Sequence, residues 1–348
     1  MEWLEARRAV KTALMLGVIV FFVVMMARAI IGSYTLTPQS TAEDLKGLPL
    51  WKIPIVYLLD YAGHGWLCLG FAFTIAGVFS EFLPQSFMLR FMSSGKKISY
   101  LVATVLAPVF CVCSCTMVPI FTGLLYAGAG IGPALTFLLV APANNILADI
   151  ITIQVLGWRI AVADMIAAGI AAVAIGYFVS KTPWGREFES RFTRNPGNPA
   201  QATAVELVKQ PLDERLWNAL KFGGYLAKRI LPAFFIGLVA VSYVQAFFPE
   251  ELVKAYLTGP FGVIVAALLG GPLYTPTLIE VALGKALVNL GMAPGATVAW
   301  LMGQPYDIPN SMSTYRIVGW KIVITYGVLS FITAVLSGLI YGIFVGTF

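Results

Sequence analysis

The chain has 348 residues, of which 59% are apolar and 11% charged, and its formal net charge is +6. A soluble domain holds about 45–50% apolar and about 25% charged residues, so a mean hydropathy of +0.83 describes an all-α polytopic membrane protein set in a lipid bilayer. The basic excess lies in loops beside apolar runs, where it orients spans, and it argues against a nucleic-acid partner or an acidic substrate.

The first apolar run, 9–31, follows Arg7 and Arg8 and contains Lys11, which predicts a span with a cytoplasmic N-terminus. No small-residue cleavage site marks it as a signal peptide. Residues 33–56 read as a polar loop punctuated by Pro38, Pro49 and Pro54, closing an N-terminal unit over 1–56. A second span, 57–82, ends at Pro84, and Arg90, Lys96 and Lys97 place the next loop in the cytoplasm. Residues 98–130 form a broken stretch, a helical hairpin or discontinuous helix with Pro108 through Pro119 at its middle. Spans over 132–153 and 157–180, joined at Gly157, complete a first membrane repeat, 57–180.

The hydrophilic stretch 181–221 carries seven Lys/Arg against five Asp/Glu and reads as a cytoplasmic linker. A second membrane repeat, 222–348, follows: a span over 222–249 with Pro232 inside, two short pieces at 256–271 and 273–290, and spans over 294–314 and 317–345. Landmarks recur between the halves. Pro119 pairs with Pro276, Leu138 with Leu301, Pro142 with Pro305, and Gly157-Trp158-Arg159 with Gly319-Trp320-Lys321. Starting inside, the halves run in opposite senses, so the expectation is an inverted-repeat transporter with two broken helical hairpins and about seven full spans besides. Such a chain crosses the inner (plasma) membrane many times, and its C-terminus faces the periplasm or exterior.

Three cysteines at alternate positions, Cys111, Cys113 and Cys115, lie within the broken stretch, too crowded to pair without strain. On a regular helix Cys111 and Cys115 share a face; on unwound backbone all three sulfurs converge. Thiolates select soft centres over hard cations. Cys68, alone in another span, reads as packing, and His64, the single histidine, as incidental.

The run CSCTMVPIFTGLLYAGAGIGPALTFLLVAPANNILA at 113–148, together with YTPTLIEVALGKAL at 274–287, resembles the predicted-permease family that contains the organoarsenical efflux permeases. The resemblance extends over most of both halves. It implies transport, with the paired cysteines of the family motif matching Cys113 and Cys115, and its close relatives export trivalent organic arsenicals. Other branches have transition-metal substrates or none assigned.

Gly128, Gly130 and Gly132, followed by Pro133, form either a tight turn or a close approach to a ligand or neighbouring helix. Asn144 and Asn145 follow Pro142 as Asp307 and Asn310 follow Pro305; they satisfy backbone freed at a helix break or line the substrate path. Glu280, in the second hairpin, and Asp149 are intramembrane acids, costly and by default functional, although Lys285 offers Glu280 a structural ion pair. Asp164 and Arg159 read as snorkelling or pairing near a span end. The spacing of Gly338, Gly342 and Gly346 makes a helix-packing face, used within the fold or in a homodimer.

These readings converge on a secondary-active efflux permease for trivalent organoarsenicals or similar thiophilic small molecules. Cys111, Cys113 and Cys115, with Asn144 and Asn145, bind substrate; Glu280 and Asp149 couple transport to protons. The broken backbone is carried by Pro119, the three glycines, Pro133, Pro142, Pro276 and Pro305. Secondary rather than ATP-driven transport is expected because no GxxxxGK[ST] loop or ATP-sized soluble domain is present, and no resident cofactor or metal is expected. A soft-metal exporter for Cu(I) or Zn(II), through Cys113 and Cys115, is the alternative. A membrane thiol oxidoreductase fits less well: it favours CxxC over CxCxC, and neither HExxH nor a base beside His64 supports a hydrolase.

Overall fold

A computed structural model describes residues 12–13, 15–25, 48–82, 91–110, 114–144, 146–194, 212–246, 256–271, 277–289 and 291–346. Among these the chain is all helix. The N-terminal run contributes α1 (Met15–Met25). The first half continues through α2 (Lys52–Phe82), α3 (Lys97–Phe110), α4 (Ser114–Tyr126), α5 (Ile131–Ala143), α6 (Ile146–Val155) and α7 (Trp158–Lys181). An amphipathic helix, α8 (Pro183–Arg194), follows. The second half is α9 (Leu212–Ala246), α10 (Gly259–Gly270), α11 (Thr277–Asn289), α12 (Pro294–Leu301), a 3-10 turn over Gln304–Tyr306, α13 (Ile308–Val318) and α14 (Trp320–Val345).

Among the described residues, three helices are long and apolar enough to cross a membrane, within Trp158–Lys181, Leu212–Tyr243 and Trp320–Val345. The pair Ile131–Ala143 and Ala148–Val155, bent by 41°, makes a fourth if it is taken as one span. On α7 and α14 the side chains of Ile166, Ile170, Phe178, Ile332, Leu336 and Ile340 are exposed, as a lipid-facing surface requires. Inside, α5 is buried along its whole length. Such all-round hydrophobicity is the mark of a core helix.

Element boundaries differ from the sequence reading in informative ways. The span read over 57–82 begins five residues earlier, at Lys52. The 222–249 span is the C-terminal part of a helix that starts at Leu212. Helix α8 therefore lies inside the stretch read as linker, and α9 begins there. The stretch read as one span over 294–314 is divided at Met302–Asp307. The 132–153 span is likewise divided at Asn144.

The order of helices recurs. Lys97 and Gly259, Ser114 and Thr277, Ile131 and Pro294, Ile146 and Ile308, and Trp158 and Trp320 open successive helices, and members of each pair stand 162 or 163 residues apart. Packing recurs with them: α3 lies on α5 as α10 on α12, and α5 on α7 as α12 on α14. Helix α6 meets α11 as α13 meets α4. Local backbone follows the same rule. Gly128 and Gly291 have φ of 98° and 102°, and Gly157 and Gly319 have φ of 98° and 84°, conformations that a Cβ disfavours. After each of the latter turns stands an exposed tryptophan, Trp158 or Trp320. Arg159 stacks on the first at 5.7 Å and Lys321 on the second at 6.0 Å, the belt chemistry of a membrane interface. This register corrects one pairing, that of Pro119 with Pro276, and sets Glu280 opposite Met117.

The glycines explain how closely the helices approach. A methyl group on Gly176 of α7 would lie 2.6 Å from the Gly132 carbonyl of α5, and one on Gly338 of α14 the same 2.6 Å from the Gly295 carbonyl of α12. The face through Gly338 and Gly342 is thus buried against α12 within the fold, and Gly346 ends α14 in a left-handed turn. The long pair α2 and α9 crosses in the same manner, with Gly77 on Ala219 and Gly223 on Phe73. Outside the spans, α8 docks through Glu189, whose side chain bonds Ser94; burial holds this carboxyl above its usual range while the Ser94 bond opposes the shift.

Gly176→Val and Gly338→Val should each destabilise the detergent-solubilised protein by about 1–3 kcal/mol through overpacking. Gly224→Ala, where a Cβ meets nothing within 4 Å, should leave it unchanged or slightly stabilised. Thermal unfolding followed by loss of the monodisperse chromatographic peak measures both.

Candidate functional site

Helices α3 and α4 flank residues 111–113, so Cys111 and Cys113 fall outside the described residues, and Cys115 is the second residue of α4. The corresponding junction lies between α10 and α11, with Pro276 outside the described residues and Glu280 in the first turn of α11. Among the described residues, breaks follow Pro142, at Asn144, and Pro305, at Asp307. Asn145 lies outside the described residues. Helix α4 packs on α13 and α11 on α6, so the helix after each of these junctions meets the helix that follows the Asp307 or Asn144 break of the other half.

Local chemistry explains how such breaks survive away from water. Pro133 sits in the first turn of α5, where no intrahelical N–H is needed. Pro108, Pro119 and Pro142 fall inside helices. Ahead of α5, the Gly130 amide donates to the Met92 carbonyl at 2.7 Å and the Gly132 amide to Ser94 Oγ at 3.2 Å. The glycine run therefore serves as a turn at Gly128 and as close approach at Gly132. Asn144, buried, donates its side-chain amide to the Met165 carbonyl of α7 at 3.0 Å. Asp307 caps α13: its Oδ1 accepts the Asn310 amide at 2.7 Å and its Oδ2 the Asn310 side chain at 2.5 Å.

The acids converge. Glu280 is 3% exposed, Asp307 2% and Asp164 6%, and Glu280 lies within electrostatic reach of both of the others. Asp149, partly exposed on α6, acts in turn on Asp164. Asp164 was therefore misread as a snorkelling residue: it is buried on α7 and faces the centre. The repeat would have flagged it, since Asp164 corresponds to Tyr326, a second buried polar residue on the matching helix. Lys285 is rotated by about 140° around α11 from Glu280, and the charges that act on Glu280 are acidic. Beside this cluster a cavity of about 10 Å³ is bounded by Ala143, Ala168, Met302, Pro305 and Ser330, room for one water. Several buried acceptors stay without a hydrogen-bond partner: Asn144 Oδ1, Asp164 Oδ1, Asn310 Oδ1, and the hydroxyls of Thr314 and Ser330.

Buried acids and unsatisfied acceptors, gathered where broken helices cross in an apolar helical body, define a membrane transport protein. Family comparison agrees, and the chain belongs to the ArsP-type predicted permease family, whose model matches residues 56–343. It is 28% identical to the UPF0718 protein MJ0584 of Methanocaldococcus jannaschii, over 84% of this chain and 96% of that protein. It is 19% identical to the UPF0718 protein YraQ of Escherichia coli, over 83% of this chain and 80% of that protein. No solved structure matches.

Asp307→Ala should cost about 1–2 kcal/mol of stability by removing the cap of α13, whereas Asp307→Asn, an equally good cap, should cost little. Thermal melts of the two purified variants separate the capping role from any role of the charge.

Proposed function

We propose that this permease is a secondary-active exporter of trivalent organoarsenicals or similar thiophilic small molecules, driven by protons. The observation that carries this reading is the placement of Cys115 and Glu280 in the first turns of corresponding helices, α4 and α11, each packed on a helix of the other half. Thiolates of Cys111, Cys113 and Cys115 would bind a soft centre, with Asn144 and Asn145 beside the path. Glu280 and Asp149 would exchange protons as the site changes facing. Cross-packing of α4 on α13 and of α6 on α11 supports an inverted repeat, and the basic loop charges favour a cytoplasmic N-terminus and 181–221 segment with the C-terminus external.

The double variant Cys113→Ser/Cys115→Ser should abolish uptake of methylarsenite into everted vesicles while the protein remains inserted. Cys111→Ser should be milder and Cys68→Ser nearly silent. Full-rate transport by the double variant would remove the thiols from the site. Parallel assays with arsenite, Cu(I) and Zn(II) decide between the arsenical and the soft-metal reading, and thiol turnover with a quinone would favour an oxidoreductase.

Orientation has its own test. Reporter tags after residue 195 should be cytoplasmic and tags at residue 348 external; a cytoplasmic C-terminus would exclude the inverted arrangement.

A further inference from the structure

Asp164 has no part in the family motif and none in the reading above, yet its position sets it apart from the other acids. Both oxygens of Asp307 are occupied by Asn310, so that carboxyl is committed to capping α13. Asp164 Oδ1 is buried without a hydrogen-bond partner. Buried acceptors are normally satisfied, and this one lies within electrostatic reach of Glu280, another buried carboxyl. Two acids at one dry site repel when both are charged; a single proton between them removes the repulsion and supplies the missing donor.

The pair also joins the two halves. Asp164 sits on α7 of the first and Glu280 on α11 of the second, with α6 packed against both helices. We propose that Asp164 and Glu280 together hold the coupling proton, shared while the halves are close and released when they move apart. The step is a proton transfer alone: H⁺ enters the pair from one side of the membrane and leaves to the other. The surrounding groups fit this role. Asp149 on α6 acts on Asp164, Asp307 acts on Glu280, and Glu280 in turn acts on Tyr306. Tyr326 on α14 faces Asp307, α12 contributes Trp300, whose Nε1 lacks a partner, and Lys285 points away around α11. This inference rests on the proton-driven reading above, and its test separates the two.

Dicyclohexylcarbodiimide modifies buried carboxyls only while they are protonated, and peptide mass spectrometry locates the adduct. In the purified wild-type protein one carboxyl of the Asp164/Glu280 pair should be modified per molecule, with labelling lost as pH rises and Asp307 spared. Asp164→Asn should move the loss of Glu280 labelling to lower pH, because its anionic neighbour is gone. Labelling of both carboxyls in one molecule, of neither at any pH, or an unchanged Glu280 profile in Asp164→Asn would overturn the pair. In proteoliposomes a gradient of about one pH unit supports about tenfold accumulation per proton. Asp164→Asn and Glu280→Gln should lose that accumulation yet keep substrate counterflow, and Asp164→Glu should restore it. If wild-type accumulation ignores a protonophore while the labelling holds, proton-driven export fails and the shared proton stands.

Discussion

A helix that stops inside a bilayer leaves carbonyls and amides that lipid cannot satisfy, and this constraint governs the centre of the protein. Asp307 answers it directly, accepting the Asn310 amide at the start of α13, and Asn144 ties the end of α5 to the Met165 carbonyl of α7. Once these polar groups are committed to holding the breaks open, the remaining acceptors around them face one another in a dry interior. Asp164, Glu280 and the free oxygens of Asn144 and Asn310 are the consequence. The chemistry of the site thus grows out of the cost of breaking the helices.

Holding two breaks in register requires helices that do not drift, and small residues provide this where side-chain burial gains little from surrounding lipid. Gly132 against Gly176 and Gly295 against Gly338 bring backbones into contact at the same place in each half. The long helices α2 and α9 are locked by Gly77 and Gly223 in the same fashion. Gly237 presses α9 onto Pro309, and Arg229 of α9 donates to the Arg316 carbonyl near the other end of α13 at 2.9 and 3.2 Å. The broken helix α13 is therefore held along its length by an unbroken one.

Much of this was legible in the sequence because proline and glycine mark breaks by backbone chemistry alone. The glycine run and Gly157 fell where helices end or turn, whereas Pro108 and Pro119 lie inside α3 and α4. The repeat was legible at Gly157 and Gly319, whose tripeptides match. It was misaligned in the hairpins, since a proline is tolerated both inside α4, as Pro119, and ahead of a helix, as Pro276; proline alone does not fix register. Helix α8 was hidden because polar composition read as linker, although its apolar positions recur at helical spacing. Asp164 was missed for another reason. A carboxylate one and a half turns into a span is near enough to an interface to snorkel, and only the packing of α7 against α5 and α6 turns it inward.

The symmetry of the halves makes their asymmetries informative. Helices α4 and α13 cross on one side of the centre, and α6 and α11 on the other. The long pair α2 and α9 covers the first crossing, α2 lying on α4 and α9 on α13, and among the described residues neither packs closely against α6 or α11. The covered crossing holds the helix that Cys115 enters; the other holds Asp149 and Glu280. Cys115 and Glu280 thus stand in the first turns of corresponding helices, on opposite sides of the core. A change in how the halves meet alters both crossings at once, because α4–α13 and α6–α11 are each built from one helix of either half. In the carrier proposed above, such a linkage would keep transport and driving force coupled, since movement at only one crossing would leave them independent.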